Sequence, residues 1–276
     1  MKVSVCDFRS SAFRQDFIDS VINTGFAVVV NHGVNKLLIQ ENQFVWKEFF
    51  TRPNKEKLLF ANESDANLGY TSFGGEKALG SEKADLKEFY HWKPDYAYIP
   101  DTVKLSTIRL FYLLSDVGEQ LLYILDSVKD TNYRDACVGS NNTIFRALYY
   151  PALQNLDVEE GAVRAAAHED INFITLLVAA SAPGLQVMDV KGSWIDVPHE
   201  ENSIVVNIGD MLQLASKELF KSTTHRVINP DSTGTDRISL PLFIHPHGTT
   251  LLADGYTAQE FLNERLNTIY KTGYRK

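Results

Sequence analysis

The sequence predicts an α+β protein with a mainly β core flanked by helices, most of them N-terminal. Three observations predict it. From about Asn142 to His245 the chain breaks into short apolar runs separated by Gly, Pro, Asn and Asp, the texture of antiparallel strands in a sandwich or barrel. Before Asn142, apolar residues recur at helical spacing in several segments. After the strands, Thr257 to about Lys271 reads as one closing helix.

The elements follow in order. Phe13, Phe17, Ile18 and Val21 make one face of a helix over Ser11–Val21, with serine available as its cap. Gly25 breaks that helix, and Phe26-Ala-Val-Val-Val30 is a short buried strand ending in the turn Asn31-His32-Gly33. Helical spacing resumes over Leu37–Phe50, and Pro53 opens a short helix over Asn54–Phe60. A Gly-rich loop spans Gly69–Gly80, and a long amphipathic helix runs from about Ser106 to Ser127. The candidate strands are Thr143–Tyr150, Asp170–Ala180, Leu185–Asp189, Trp194–Val197, Ser203–Ile208, His225–Ile228 and Arg237–His245. The chain thus divides into a helical and mixed flanking region, 1–141, and a β core with its terminal helix, 142–276.

Composition narrows the function classes. A hydrophobic share of 44% suffices for a full globular core. A formal charge of −8, with no basic stripe, argues against a non-specific nucleic-acid binder. No apolar run approaches the ~20 residues of a membrane helix. Asp7 and Arg9 interrupt any secretory stretch at the N-terminus. Two cysteines, Cys6 and Cys137, make no disulfide framework and read as small buried residues. The expectation is a cytoplasmic protein, monomeric or weakly self-associating, with a small-molecule substrate and no nucleic-acid or membrane partner.

The chemistry centres on His168, Asp170 and His225. Residues two apart on a strand share a face, so His168 and Asp170 would project together into the barrel, with His225 supplied by a later strand. Two imidazoles and one carboxylate on one side of a metal, with positions left open, suit a non-haem ferrous centre. His-x-Asp alone is a weak motif; its context strengthens it. Arg237 and Ser239 again share a strand face, and a guanidinium beside a hydroxyl is suited to a carboxylate. That strand is otherwise apolar through Ile244, so an arginine entering it needs an anionic partner.

At this point the chain resembles the isopenicillin N synthase-like family of Fe(II)- and 2-oxoglutarate-dependent dioxygenases. The resemblance lies in Asn207-Ile-Gly-Asp-Met-Leu-Gln-Leu-Ala-Ser216, Lys221-Ser-Thr-Thr-His-Arg-Val227, Gly25 to Val34, Arg146-Ala-Leu-Tyr-Tyr-Pro151, Gly161 to Asp170 and Gly184 to Pro198, with a similar C-terminal helix. It implies a double-stranded β-helix (jelly-roll) core, with His168, Asp170 and His225 as iron ligands. It also implies that Arg237 and Ser239 bind the distal carboxylate of 2-oxoglutarate, supported by Tyr150, and that O2 is the oxidant. Leu148 stands where many relatives have an asparagine touching the co-substrate, and Asp231–Thr235 lengthens the turn before Arg237. The implied reaction is oxidation, by default hydroxylation, of an unactivated C–H bond of a small organic substrate, with release of succinate and CO2.

Among the seven histidines, His32 reads as structural and His199 as exposed. His245 falls on the alternation of Arg237, and with His91 and Tyr70 completes the candidate substrate residues. Three rival readings stay open: an oxidase of this fold that does not use 2-oxoglutarate, a non-catalytic jelly-roll binding or sensor protein, and a zinc hydrolase. The last lacks a general base beside the triad except Glu169, which strand alternation directs away. The substrate itself is not legible.

Overall fold

The computed structural model describes residues 2–62, 67–76, 83–154, 163–178, 180–229 and 236–271. The N-terminal elements are β1 (Val5–Asp7), α1 (Phe13–Thr24), β2 (Phe26–Val30), α2 (Lys36–Phe50), α3 (Asn54–Lys57), β3 (Gly69–Thr71), β4 (Glu88–Trp92), α4 (Asp101–Lys129) and α5 (Tyr133–Cys137). There follow β5 (Ile144–Tyr150), β6 (Ala165–His168), β7 (Ile174–Val178), β8 (Leu185–Met188), β9 (Trp194–Asp196), β10 (Ile204–Ile208), α6 (Asp210–Ala215), β11 (His225–Val227), β12 (Arg237–Ile244), β13 (Leu251–Ala253), β14 (Tyr256–Thr257) and α7 (Ala258–Lys271).

Eight strands form the larger sheet in the order β1-β2-β10-β7-β12-β5-β4-β3, and four form a smaller one, β6-β11-β8-β9. Every pairing in both is antiparallel except β1 with β2. The two sheets face each other. Phe26, Val28 and Val205 of the larger pack on Val187 of the smaller, and Phe89, Leu148 and Tyr150 pack on Ala165 and Val227. The back of the larger sheet is covered by helices: Ala27, Val29, Leu176, Val206, Leu240 and Leu242 join one core with residues of α1, α2 and α4. This is the expected jelly roll with flanking helices. Sheet strands covered on both faces favour apolar residues at nearly every position, which is why β7, β10 and β12 are mostly apolar, with Thr175, Asn207, Arg237 and Ser239 as the polar exceptions.

The local rules hold with adjustments. Asn35 caps α2, its Oδ1 accepting from the Leu37 N–H at 2.8 Å. The expected serine cap of α1 is corrected: the helix starts one turn-residue later, at an Ala12 cap with no side-chain bond, and Ser10 Oγ accepts the Ala12 N–H instead. The helix expected over Asn54–Phe60 divides into α3 and a 3-10 turn at Leu58–Phe60. The long helix starts earlier than Ser106, because Pro100 is a ready helix entry that the apolar spacing does not mark. Part of the Gly69–Gly80 loop, and the turn Asp231–Thr235, lie outside the described residues.

Gly25 ends α1 in the left-handed region, φ 71°, and turns the chain directly into β2. A Cβ there would lie 2.3 Å from Thr223 Oγ1 and 2.5 Å from Lys221 O, within the segment that leads into β11. Gly25→Ala therefore combines backbone strain with a clash, and should cost roughly 2–4 kcal/mol of stability. Urea denaturation would check it; an unchanged midpoint would contradict the close approach.

Candidate metal centre

β6 and β11 are adjacent, and their register sets His225 directly opposite His168. The imidazole centroids lie 4.4 Å apart. Asp170 arrives differently from the expectation. β6 ends at His168, so Asp170 is not on that strand but in the following turn, and simple alternation does not place it. Backbone bonds to the start of α6 fix the turn instead: Gly209 N–H donates to Phe173 O, Asp210 N–H to Asp170 O at 2.7 Å, and Met211 N–H to Ile171 O. Gly209 permits this approach, since a Cβ there would lie 2.2 Å from Asn172 O. This explains the Asn-Ile-Gly-Asp segment physically. Its asparagine and glycine both serve the carboxylate turn.

Asp170 Oδ1 stands 3.9 Å from Nε2 of each histidine. The three candidate ligand atoms all lie within 4.8 Å of one another. Each ligand also has its other polar atom committed elsewhere. His168 Nδ1–H donates to Ala166 O at 2.8 Å and His225 Nδ1–H to Thr223 O at 3.1 Å, leaving both Nε2 lone pairs inward. Asp170 Oδ2 accepts from Thr175 Oγ1 at 2.5 Å and Asn207 Nδ2 at 2.8 Å, which leaves Oδ1 inward. Burial alone would raise the Asp170 carboxyl, but both histidines and these two hydrogen bonds outweigh it and hold it below its ordinary value. Two imidazole nitrogens and one carboxylate oxygen, preorganised around a common point, fit a ferrous ion with open positions.

Asn207→Ala removes one of the two bonds to Oδ2. The Asp170 pKa should then rise toward the normal carboxylate value, so metal binding is lost at a higher pH on the acid side. Metal affinity at neutral pH should fall roughly 10–100-fold. A Co(II) titration at several pH values would test this, and an unshifted acid limb would argue against the role.

Deeper between the sheets lies a second polar group. Arg237 begins β12 at 2% exposure, and Tyr150 is its cross-strand partner, with the guanidinium 5.5 Å from the ring centre. Burial lowers the Arg237 pKa to about 10. Arg237 Nε and Nη1 and Ser239 Oγ are buried and have no hydrogen-bond partner among the described residues. Buried donors of this kind are costly unless an acceptor completes them, and a carboxylate fits all three. Leu148, opposite Ser239 in the ladder, contributes only apolar packing. A second arginine, Arg164, is fully buried 5.8 Å from the Tyr150 ring. Sequence reading missed it. The logic applied to Arg237 could have found it, since Arg164 also enters an apolar stretch, Ala165-Ala-Ala167.

Beside His168 and Asp170 opens a cavity of about 430 Å³, lined also by His91, Arg146, Phe243 and His245, with Leu262 and Leu266 of α7 over it. His245 donates from Nδ1 to Phe243 O, and burial pushes its pKa down to about 4, so the ring is neutral. His91 donates from Nδ1 to Asn67 O at 2.8 Å and accepts from Arg146 Nε. Tyr70 is placed elsewhere. Its ring packs against Phe49 on the helical side, and its hydroxyl donates to Glu88, which is bonded at 2.6 Å to buried Lys57. Tyr70 does not line this cavity, because it sits on the face of β3 opposite to the one His91 presents from β4. Glu169 accepts the Thr224 hydroxyl. His32 is structural, bonded to Asn202 O at 2.9 Å and to the Val34 N–H. His199 is not free either: its Nε2 bonds Ala180 O. No helix among the described residues is long and apolar enough to cross a membrane.

A jelly roll that presents two histidines and an aspartate inward defines the class of non-haem iron oxygenases. Comparison with known proteins agrees. Residues 141–246 match the 2OG-Fe(II) oxygenase superfamily, and residues 3–108 match the N-terminal family described as non-haem dioxygenase in morphine synthesis. Feruloyl CoA ortho-hydroxylase 2 of Arabidopsis thaliana is 30% identical over 88% of this chain and 69% of its own length. Flavonol synthase 1 of Crocosmia x crocosmiiflora is 30% identical over 90% of this chain and 76% of its own. The crystal structure of a candidate oxygenase from Shewanella oneidensis superposes with a TM-score of 0.86 at 37% identity, covering 98% of this chain and 99% of that one. The chain belongs to the 2OG-Fe(II) oxygenase superfamily. It is an oxidoreductase whose cofactors are Fe(II) and 2-oxoglutarate, with O2 as co-substrate.

Proposed function

We propose that His168, Asp170 and His225 hold the iron, that Arg237 and Ser239 beside Tyr150 hold the distal carboxylate of 2-oxoglutarate, and that the cavity beside the triad takes a small organic substrate. The observation that carries this reading is the pairing of a preorganised N2O donor set with buried donors on Arg237 and Ser239 that have no partner among the described residues. The overall reaction is R–H + 2-oxoglutarate + O2 → R–OH + succinate + CO2. When bound, the iron supplies the redox chemistry that couples oxidation of the co-substrate to oxidation of the substrate C–H bond.

The chain's own residues divide the remaining work. Thr175 and Asn207 keep Asp170 ionised and aimed. Ala166 and Thr223 carbonyls fix the histidine tautomers. Arg237 sets the depth to which the co-substrate enters, which orients its other end toward the metal ligands. His91 and His245 sit on the cavity wall and are suited to touch substrate. Residues 1–141 act as the flanking part that closes one side of the site, and 142–276 as the catalytic core. Free, buried Cys6 and Cys137 support a cytoplasmic setting.

The test is anaerobic reconstitution with Fe(II) and 2-oxoglutarate, then a substrate screen read by succinate release on admitting O2. One succinate per substrate consumed is expected. Substrate loss with no dependence on 2-oxoglutarate would instead identify an oxidase of the same fold.

A further inference from the structure

One wall of the cavity is charged in a way the iron chemistry does not require. Lys87, buried, donates to Asp85 Oδ2 at 2.7 Å and lies 2.8 Å from Glu76 Oε2. Arg146, on the cavity face of β5, reaches the same Glu76 through Nη1 at 3.4 Å and Nη2 at 3.2 Å, and donates through Nε to His91. Its guanidinium is 4.4 Å from the Phe89 ring centre and 5.4 Å from that of Phe243.

Donor accounting on this wall is lopsided. A guanidinium has five N–H groups and an ammonium three. Three of the Arg146 hydrogens and two of the Lys87 hydrogens are used, so both side chains keep donors in reserve. Every carboxylate oxygen of the wall already faces a cation or a backbone N–H, since Asp85 Oδ1 accepts from Ala166 N–H at 3.0 Å. The pairing of Arg146 is also loose. Charge-assisted N–H···O bonds are ordinarily about 2.7–2.9 Å, and both contacts of Lys87 with these carboxylates meet that length while those of Arg146 do not. Its Glu76 is shared with Lys87, so Arg146 is the under-neutralised cation of the group. The two phenyl rings hold its plane against rotation, which lowers the entropy cost of recruiting it.

We propose that Arg146 binds a carboxylate of the organic substrate through the N–H groups it keeps unused, while Lys87 holds Glu76 and Asp85. The substrate class is therefore a small organic acid, anchored at Arg146 and oxidised at a carbon away from its carboxylate. This rests on the oxygenase reading above and specifies its substrate end.

The test uses the Fe(II)- and 2-oxoglutarate-loaded protein under anaerobic conditions, read by isothermal titration calorimetry. Hexanoate, phenylacetate and 3-phenylpropanoate are each compared with the matching primary amide. At least one acid should bind tenfold or more tightly than its amide. Arg146→Met should erase that margin while leaving 2-oxoglutarate affinity in place, and Arg146→Lys should retain part of it. If Arg146→Met does not fold, the acid-to-amide ratios of the wild type and Arg146→Lys decide the matter. No acid exceeding its amide overturns the proposal, as does a variant that weakens acids and 2-oxoglutarate alike. Failure of the wild type to bind 2-oxoglutarate in the presence of Fe(II) sinks the oxygenase reading instead, so the two failures are distinct.

Discussion

Alanine at His225 should abolish Fe(II) binding and turnover together while leaving the protein folded. The residue supplies one of the three inward ligand atoms found among the described residues, and its ring is packed edge-on against Phe26 at 5.4 Å between centroids. Truncation leaves a small void between β2 and β11, which costs about 1–3 kcal/mol by analogy with other buried truncations. The metal loss is larger in proportion. Removing an outer-shell partner of a ligand costs roughly 10–100-fold in affinity, and removing the ligand itself should exceed that. Metal content after Fe(II) loading and desalting, with circular dichroism as the fold check, gives the answer. A variant that retains stoichiometric iron would remove His225 from the ligand set.

Arg237→Met should act on the co-substrate alone and leave iron binding intact. Losing one partner of a buried charge pair costs about 2–5 kcal/mol, so the Kd for 2-oxoglutarate should rise by a factor on the order of 30 to several thousand. The ligand-free protein should behave in the opposite sense. There the guanidinium is buried with Nε and Nη1 lacking a partner among the described residues, and an apolar chain of similar length relieves that desolvation. The melting temperature without ligand should hold or rise, and the upward shift that 2-oxoglutarate produces in the wild type should disappear. A variant that loses stability without ligand but keeps its affinity for 2-oxoglutarate would assign Arg237 a structural role.

Much of the site was legible because its chemistry violates its surroundings. His168, Asp170 and His225 interrupt strand texture, and Arg237 enters an apolar run where a charge is tolerable only with a partner. Asn207 was visible as part of a motif, but its bond to Asp170 Oδ2 was not, since it depends on β10 lying next to β7. Other elements were hidden for identifiable reasons. β4 reads Glu-Phe-Tyr-His-Trp with no apolar–polar alternation because both its faces are covered, and Glu88 is buried only through its bonds to Lys57 and Tyr70. β6 is Ala-Ala-Ala-His, a composition with little preference for strand, and it forms because β11 pairs with it. The charged wall brings Glu76, Asp85 and Lys87, all between β3 and β4, against Arg146 of β5, which lies about sixty residues further along the chain. Burial on both faces and long-range pairing are tertiary facts, and periodicity does not carry them.

The placement of His168 opposite His225 has a mechanical consequence. Both imidazoles come from one rung of a single ladder, and among the described residues β6 is the outermost strand of its sheet, with β11 as its strand neighbour. A slip of one residue would turn His225 to the outer face and dismantle the centre. An ion bridging the rung is thus a rivet through an outer seam of the sheet. Loading the metal stabilises that one register by mass action against every other, so catalytic competence and the correct closing of this edge are the same event.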